Sequence, residues 1–191
     1  MPEFEPITGR YFNMEVGGKL CRIYAEEAGS GIPLVCLHTA GSDARQYRHL
    51  LCDKAITDNY RVIAFDLPWH GKSNPPPGFR EDEYKLTTDL YKDTVMAFCK
   101  AYELIDPVVM GCSMGGRVVL HLALEQADYF KAVIALEGSD KLDAYYDLDW
   151  LHRPDVHGGE IASAFVSAQV APQSPDEYRW ETLWHYHQGG S

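Results

Sequence analysis

The sequence has no long apolar run. Nowhere do its 191 residues approach the eighteen or more consecutive apolar positions that cross a bilayer. The opening Met1-Pro2-Glu3-Phe4-Glu5-Pro6 is acidic where a signal peptide would be apolar. There is no CxxC pair and no other metal-ligand spacing among the five cysteines, Cys21, Cys36, Cys52, Cys99 and Cys112, and their number is odd. A reducing, cytoplasmic compartment fits that usage. Positive charge is also short, with 17 Lys and Arg against 28 Asp and Glu for a net charge of −11. Such a surface repels nucleic acid and anionic membrane, which sets both aside as main partners. Internal repeats and low-complexity segments are missing too. What remains, 46% hydrophobic and 24% charged residues, is the composition of one ordinary globular domain with a sizeable core.

Two short alternating runs, 11–16 and 20–24, flank Gly17-Gly18 and predict a hairpin. Residues 33–38 form a near-continuous apolar run, as in a parallel strand buried on both faces. A helix is expected over 43–55, capped by Ser42 or Asp43. Strands follow at 61–66, 108–110 and 131–136. A helix from residue 83 carries Leu86, Leu90, Val95, Phe98 and Tyr102, and another spans 118–126 after a turn over 111–116. This alternation from 33 to 136 predicts a mostly parallel sheet with helices on both faces. Beyond Gly138 the pattern changes: 139–158 has no period, and 160–170 and 175–188 read as two helices. The second begins at Ser174-Pro175-Asp176-Glu177, a capping box with proline at the first helical position, and Trp180, Leu183, Trp184 and His187 share one face.

Gly111-Cys112-Ser113-Met114-Gly115 matches G-x-S-x-G. A sharp strand-to-helix turn strains the serine backbone and lifts its oxygen into solvent, and only glycine leaves room on either side. The bare pattern arises by chance in roughly one chain in ten or twenty of this length. Its place between a strand and a helix is what gives it meaning. His38-Thr39-Ala40-Gly41 follows the first parallel strand, where an oxyanion loop is needed, so the N–H groups of Ala40 and Met114 are candidate oxyanion donors. Asp66-Leu67-Pro68-Trp69-His70-Gly71-Lys72-Ser73 follows the next strand.

In this order the three segments resemble the H-G-x-G, D-x-P-G-H-G-x-S and G-x-S-x-G-G signatures of the α/β-hydrolase fold superfamily, over about residues 20–138. The resemblance implies an α/β fold: a mostly parallel α/β-hydrolase sheet with helices on both faces, plus the start of a helical cap. Residues 1–138 would be the core and 139–191 an incomplete cap or lid. It implies Ser113 as the nucleophile and His70 as a histidine that braces its loop. Thr39 and Trp69 depart from the pattern, each standing where glycine is usual. Trp69 is expected to line the pocket, and so are Trp180 and Trp184, although their stripe is most simply cap packing.

A serine nucleophile needs a histidine base, and the base needs a carboxylate. Glu137 ends the strand after the elbow helix, 24 residues beyond Ser113. Haloalkane dehalogenases and zearalenone-type lactone hydrolases place their acid at a similar point, and those lactonases share a cysteine before the nucleophile. Glu137 is the candidate acid; the bland reading is a strand-end glutamate facing solvent. His121 lies about two turns down the elbow helix and should point away. His185 and His187 do not share a helix face and are expected at a rim or on the surface. The catalytic histidine is therefore expected outside residues 1–191, with ~80–100 residues of a typical member beyond this stretch, supplied by a longer chain or a C-terminal fragment of it.

The leading expectation is a hydrolase of an ester, lactone or related acyl bond acting on a small-molecule substrate, with no metal and no cofactor. The alternatives are a C–C bond hydrolase or cofactor-free haloperoxidase of the same fold, and a catalytically inactive fragment or hydrolase-derived binder.

Overall fold

A computed structural model describes residues 3–81, 85–141 and 155–188. The expected hairpin is β1 (Thr8–Val16) and β2 (Lys19–Ala28), antiparallel, with Gly17 and Gly18 both at positive φ as the tight turn demands. Strands β3 (Ile32–Leu37), β4 (Tyr60–Phe65), β5 (Val108–Cys112) and β6 (Ala132–Leu136) are mutually parallel, and β2 joins them antiparallel to β4. The sheet order is β1-β2-β4-β3-β5-β6.

The central strands bury both faces, which is why they read as unbroken apolar runs. Val35, Leu37, Ile63, Phe65 and Val109 join one core, beneath α3 (Thr88–Ala101) and α4 (Met114–Glu125). Leu34, Cys36, Val62, Ala64 and Val108 join a second core on the other face. A 3-10 turn (Ala44–Tyr47), α1 (Arg48–Cys52) and α2 (Lys54–Thr57) adjoin that second core, to which Ala44, Tyr47 and Leu51 belong. Helices α5 (Gly158–Ser167) and α6 (Asp176–Gln188) pack on each other. Most of 139–158, the segment without a period, lies outside the described residues.

Three local expectations are corrected. The stretch 43–55 is not one helix: Asp53 is extended (ψ 109) and its carboxylate caps α2 afresh by accepting from Ala55 N–H. The helix expected from residue 83 begins at Thr88, where the Thr87 side chain accepts from Leu90 N–H; residues 82–84 lie outside the description. The turn over 111–116 shrinks to Ser113 alone, because α4 starts at Met114. Among the described strands β6 pairs only with β5, leaving Ile134 and Leu136 about two-fifths exposed.

Phe98 is fully buried, stacked on Phe65 at 4.0 Å and on Tyr102 at 4.6 Å. Phe98→Ala should lower unfolding free energy by about 3–5 kcal/mol in urea titration, because the cavity lies between sheet and helix where neither can collapse.

Candidate active site

Ser113 occupies the N-cap position of α4, yet its side chain makes no capping hydrogen bond. Serine at an N-cap ordinarily satisfies an orphan N–H of the first turn. Here φ is 53° and ψ is −110°, a left-handed conformation costly for any residue with a Cβ, and it turns the exposed hydroxyl away from the helix. Two backbone bonds hold that strain. Ser113 N–H donates to the Leu136 carbonyl and Arg117 N–H to the Ser113 carbonyl, both at 2.8 Å.

Glycine is required around it because backbone touches backbone. A Cβ on Gly111 would lie 2.3 Å from the Gly115 carbonyl carbon, one on Gly115 2.5 Å from the Leu37 carbonyl oxygen, and one on Gly116 2.6 Å from that of Leu136. None of these partners is a movable side-chain tip. The head of α4 is thereby pressed against the ends of β3 and β6, and the loops after both strands arrive beside Ser113.

The loop after β3 is held from several sides. Tyr47, in one core, donates its hydroxyl to the Leu37 carbonyl at 2.7 Å; Tyr91, in the other, donates to the His38 carbonyl at 3.3 Å. His38 is almost fully buried. Its Nε2 accepts from Leu67 N–H (3.2 Å), so Nδ1 carries the proton and donates to the Thr39 carbonyl (2.9 Å). Burial and the neighbouring His70 ring push its pKa down to about 3, keeping it neutral. Thr39 N–H donates to Gln46 Oε1 at 2.8 Å. The N–H groups of Ala40 and Met114 make no hydrogen bond among the described residues.

The second motif locks the first in place. Asp66 accepts from Ala44 N–H and from Lys72 N–H, each at 2.7 Å, and joins the two loops. Burial pushes its carboxyl up, to about 7, against those two donors. Ser73 donates to the Asp66 carbonyl and accepts from Tyr24 N–H. His70 contacts the Pro68 carbonyl through Nδ1 and lies 5.1 Å from the His38 ring, within the loop itself. Trp69 has φ 68°, so it takes up the left-handed backbone that glycine would supply at this point, and its ring packs edge-on against Phe79.

Glu137 follows β6 at φ 50°, exposed, and its charge is felt by the Cys112 thiol at the elbow. No histidine contacts Ser113 or Glu137 among the described residues. His121 lies beside Asp140 at 3.1 Å, down α4 as its spacing suggests. The structure therefore gathers Ser113, Met114, the Ala40 loop and the Glu137 strand end. Trp180 and Trp184 are 68% and 54% exposed and line a groove against Arg48, His49 and Cys52 of α1, a groove that does not include Ser113.

Instead α6 turns polar groups inward. His185, expected at a rim or on the surface, is buried: its Nε2 is 3.0 Å from Asp43 Oδ1 and 3.2 Å from Ser42 Oγ. The physical reason is the buried Asp43 carboxylate, which needs donors. Burial works against its charge, but hydrogen bonds from His185 and Arg45 hold the carboxyl well below the usual range. Glu181 pairs with Arg48 and His49. Tyr186 rests over Gly41, with its phenol pushed up by burial and eased by the Thr39 hydroxyl. Gln46 and Tyr186 escaped the sequence reading, as did the burial of His185. The available signal was the polar inner face of α6 at 178, 181, 182 and 185.

An exposed serine on a strained strand–helix elbow, beside a loop braced by buried histidine and aspartate, defines a hydrolase-type fold. The chain belongs to the alpha/beta hydrolase fold family, whose model matches residues 32–185. It is 34% identical over 109 residues to the dihydrolipoyllysine-residue acetyltransferase component of an acetoin-cleaving system from Pseudomonas putida, covering 57% of this chain and 27% of that one. It is 28% identical over 142 residues to a 2-hydroxy-6-oxononadienedioate/2-hydroxy-6-oxononatrienedioate hydrolase of Escherichia coli (strain K12), covering 72% and 47%. The enol-lactonase from Burkholderia xenovorans LB400 superposes with a TM-score of 0.74 at 17% identity, over 93% of this chain and 66% of that one. The chain thus spans less than half the length of these two curated relatives.

His38 gives a pH prediction. Its pKa is lower folded than unfolded, so the stability it contributes is complete above about 6.5 and is lost as pH falls from there toward 3. The stability gap between the wild type and His38→Gln should narrow over that interval in denaturant titrations. The opposing change at Asp66 is common to both proteins and cancels; a gap constant with pH would contradict the neutral, buried assignment.

Proposed function

We propose that the protein is a serine hydrolase of an ester, lactone or related acyl bond in a small molecule. The observation that carries the reading is Ser113: exposed, held at φ 53°, with a hydroxyl spared from capping, while the N–H groups of Ala40 and Met114 make no hydrogen bond among the described residues. The Ser113 oxygen attacks the carbonyl carbon while its proton passes to a base. The N–H groups of Ala40 and Met114 hold the oxyanion as charge develops, each donor contributing about 3–4 kcal/mol to the transition state. The N-terminal end of α4, free of acidic residues in its first turn, favours the same charge. Collapse of the tetrahedral state expels the alcohol oxygen with the base's proton, and water then hydrolyses the acyl-serine by the reverse exchange.

We assign the base to a histidine outside residues 1–191, in a longer chain or in a C-terminal fragment bound to this one. Glu137 or a later Asp orients it. Trp69 is proposed to border the substrate, and Trp180 and Trp184 remain proposed binding residues only if the substrate extends to the groove along α1. Five free cysteines support a reducing, cytoplasmic setting, and among the described residues no helix is long and apolar enough to cross a membrane.

A second reading, hydrolysis of a C–C bond next to a ketone, draws on the similarity to the Escherichia coli enzyme. Mass spectrometry of products separates the two, since water adds across a C–O bond in one case and a C–C bond in the other.

The protein expressed from its complete reading frame should hydrolyse members of a panel of activated esters and lactones. Ser113→Ala should lower kcat by about 10⁴-fold or more and abolish phosphonate labelling; labelling that survives the substitution contradicts the assignment. If Glu137 orients the base, Glu137→Gln should cost about 10⁴-fold in kcat. A loss under about tenfold would move the acid to a later residue.

A further inference from the structure

We infer that His185 is a positioning residue: from α6 it clamps Ser42 and Asp43 at the end of the loop after β3 and so fixes the turn that presents Ala40 N–H to the proposed oxyanion. The inference rests on the acyl-transfer reading above and adds to it a residue that acts through the loop and not on the reacting atoms.

An oxyanion donor works only if it is held still, and a misplacement of about 1 Å can cost 10²-fold in rate. Both ends of the loop are tied to the core. At its start Tyr47 and Tyr91 hold the Leu37 and His38 carbonyls, and Gln46 holds Thr39 N–H. At its end Asp66 holds Ala44 N–H. Between them Ala40 and Gly41 form a turn, with Gly41 at φ 66°. The backbone of Ala40, Gly41 and Ser42 makes no hydrogen bond among the described residues. The middle of the loop, where the donor sits, is thus held among these residues through side chains.

Those side-chain contacts come from α6. His185 Nε2 lies 3.2 Å from Ser42 Oγ and 3.0 Å from Asp43 Oδ1. A carboxylate has no hydrogen to give, so Nε2 carries the proton and shares it between the two oxygens. Ser42, Asp43 and His185 are each more than nine-tenths buried, where a hydroxyl or a carboxylate without a donor is costly. Ser42 Oγ has no other hydrogen-bond partner among the described residues. One ring nitrogen thus ties two consecutive residues, the first of them two positions after Ala40. Tyr186 covers the turn itself: a Cβ on Gly41 would lie 3.7 Å from its ring and 3.9 Å from Ala162 of α5. The helix has anchors of its own. Glu181 pairs with Arg48 and His49, and a Cβ on Gly159 of α5 would lie 2.2 Å from the His187 carbonyl oxygen. Loss of the His185 contacts therefore frees the loop and leaves α6 docked.

The test uses the protein expressed from its complete reading frame and the panel ester it turns over fastest. His185→Leu fills the space and offers no hydrogen. It should lower kcat about tenfold or more with KM within about threefold, because a displaced oxyanion donor is felt in the transition state and not in ground-state binding. A side chain that merely stabilised α6 would change the unfolding free energy and leave kcat alone. His185→Gln, whose amide nitrogen reaches the place of Nε2, should restore kcat to within about threefold of wild type. Ser42→Ala should cost about threefold to tenfold, and adding it to His185→Leu should change kcat by less than about twofold. An active wild type whose His185→Leu variant keeps kcat within about twofold, or loses only KM, overturns this inference alone. So does a His185→Gln variant as slow as His185→Leu, or a double variant whose losses multiply. A wild type inactive on the whole panel overturns the proposed function and this inference with it. Should His185→Leu not fold, Ser42→Ala reads the same clamp by removing a single oxygen, and a kcat equal to wild type would overturn it.

Discussion

Backbone meeting backbone at the head of α4 is the constraint on which the site depends. Gly111, Gly115 and Gly116 bring the first turn of the helix within contact of the Leu37 and Leu136 carbonyls, where no Cβ fits. That closeness lets Ser113 N–H reach Leu136 and fixes the residue in a conformation that an isolated chain would abandon. The strain of order 1–3 kcal/mol is held in place by the fold's larger packing energy, spread over two cores on opposite faces of the sheet. A local distortion of the backbone thereby leaves a hydroxyl without its usual capping partner and offered to solvent.

A second set of contacts surrounds the first. His38, Asp66, Tyr47 and Tyr91 each bind backbone groups of the loops near Ser113, and each is buried. Their polarity would be costly in the core without those partners, so each satisfied bond resists movement of its loop. Helix α6 adds a layer. Asp43 draws His185 inward, Glu181 pairs with Arg48 and His49, and Tyr186 covers Gly41. The same loop that caps the 3-10 turn is thus read by the core beneath and by α6 above.

Much of this was legible in the residues. The apolar run at 33–38 read as a strand covered on both faces and those at 61–66 and 108–110 as strands, and glycine on both sides of a serine between a strand and a helix read as an elbow. The break at Asp53 was less visible, because a helix former pattern continues through it and only the cap of α2 shows the interruption. The inward face of α6 was misjudged for a different reason. Hydrophobic spacing pointed to Trp180 and Trp184, but the buried carboxylate of Asp43 favours His185 and the Arg48 guanidinium of α1 favours Glu181, and such polar pairing has no period along one segment. Gln46 was silent for the same reason: its acceptance from Thr39 N–H ties the 3-10 turn to the loop after β3 and leaves no periodic trace in the sequence.

A crystal structure of the Ser113 adduct with a small phosphonate tests most directly the proposal that Ala40 N–H and Met114 N–H form an oxyanion hole beside Ser113. The phosphoryl oxygen should lie about 2.7–3.1 Å from both Ala40 N and Met114 N, with the Ser113 backbone unchanged at positive φ. An adduct whose oxygen points to solvent, or reaches only one of the two, would contradict it.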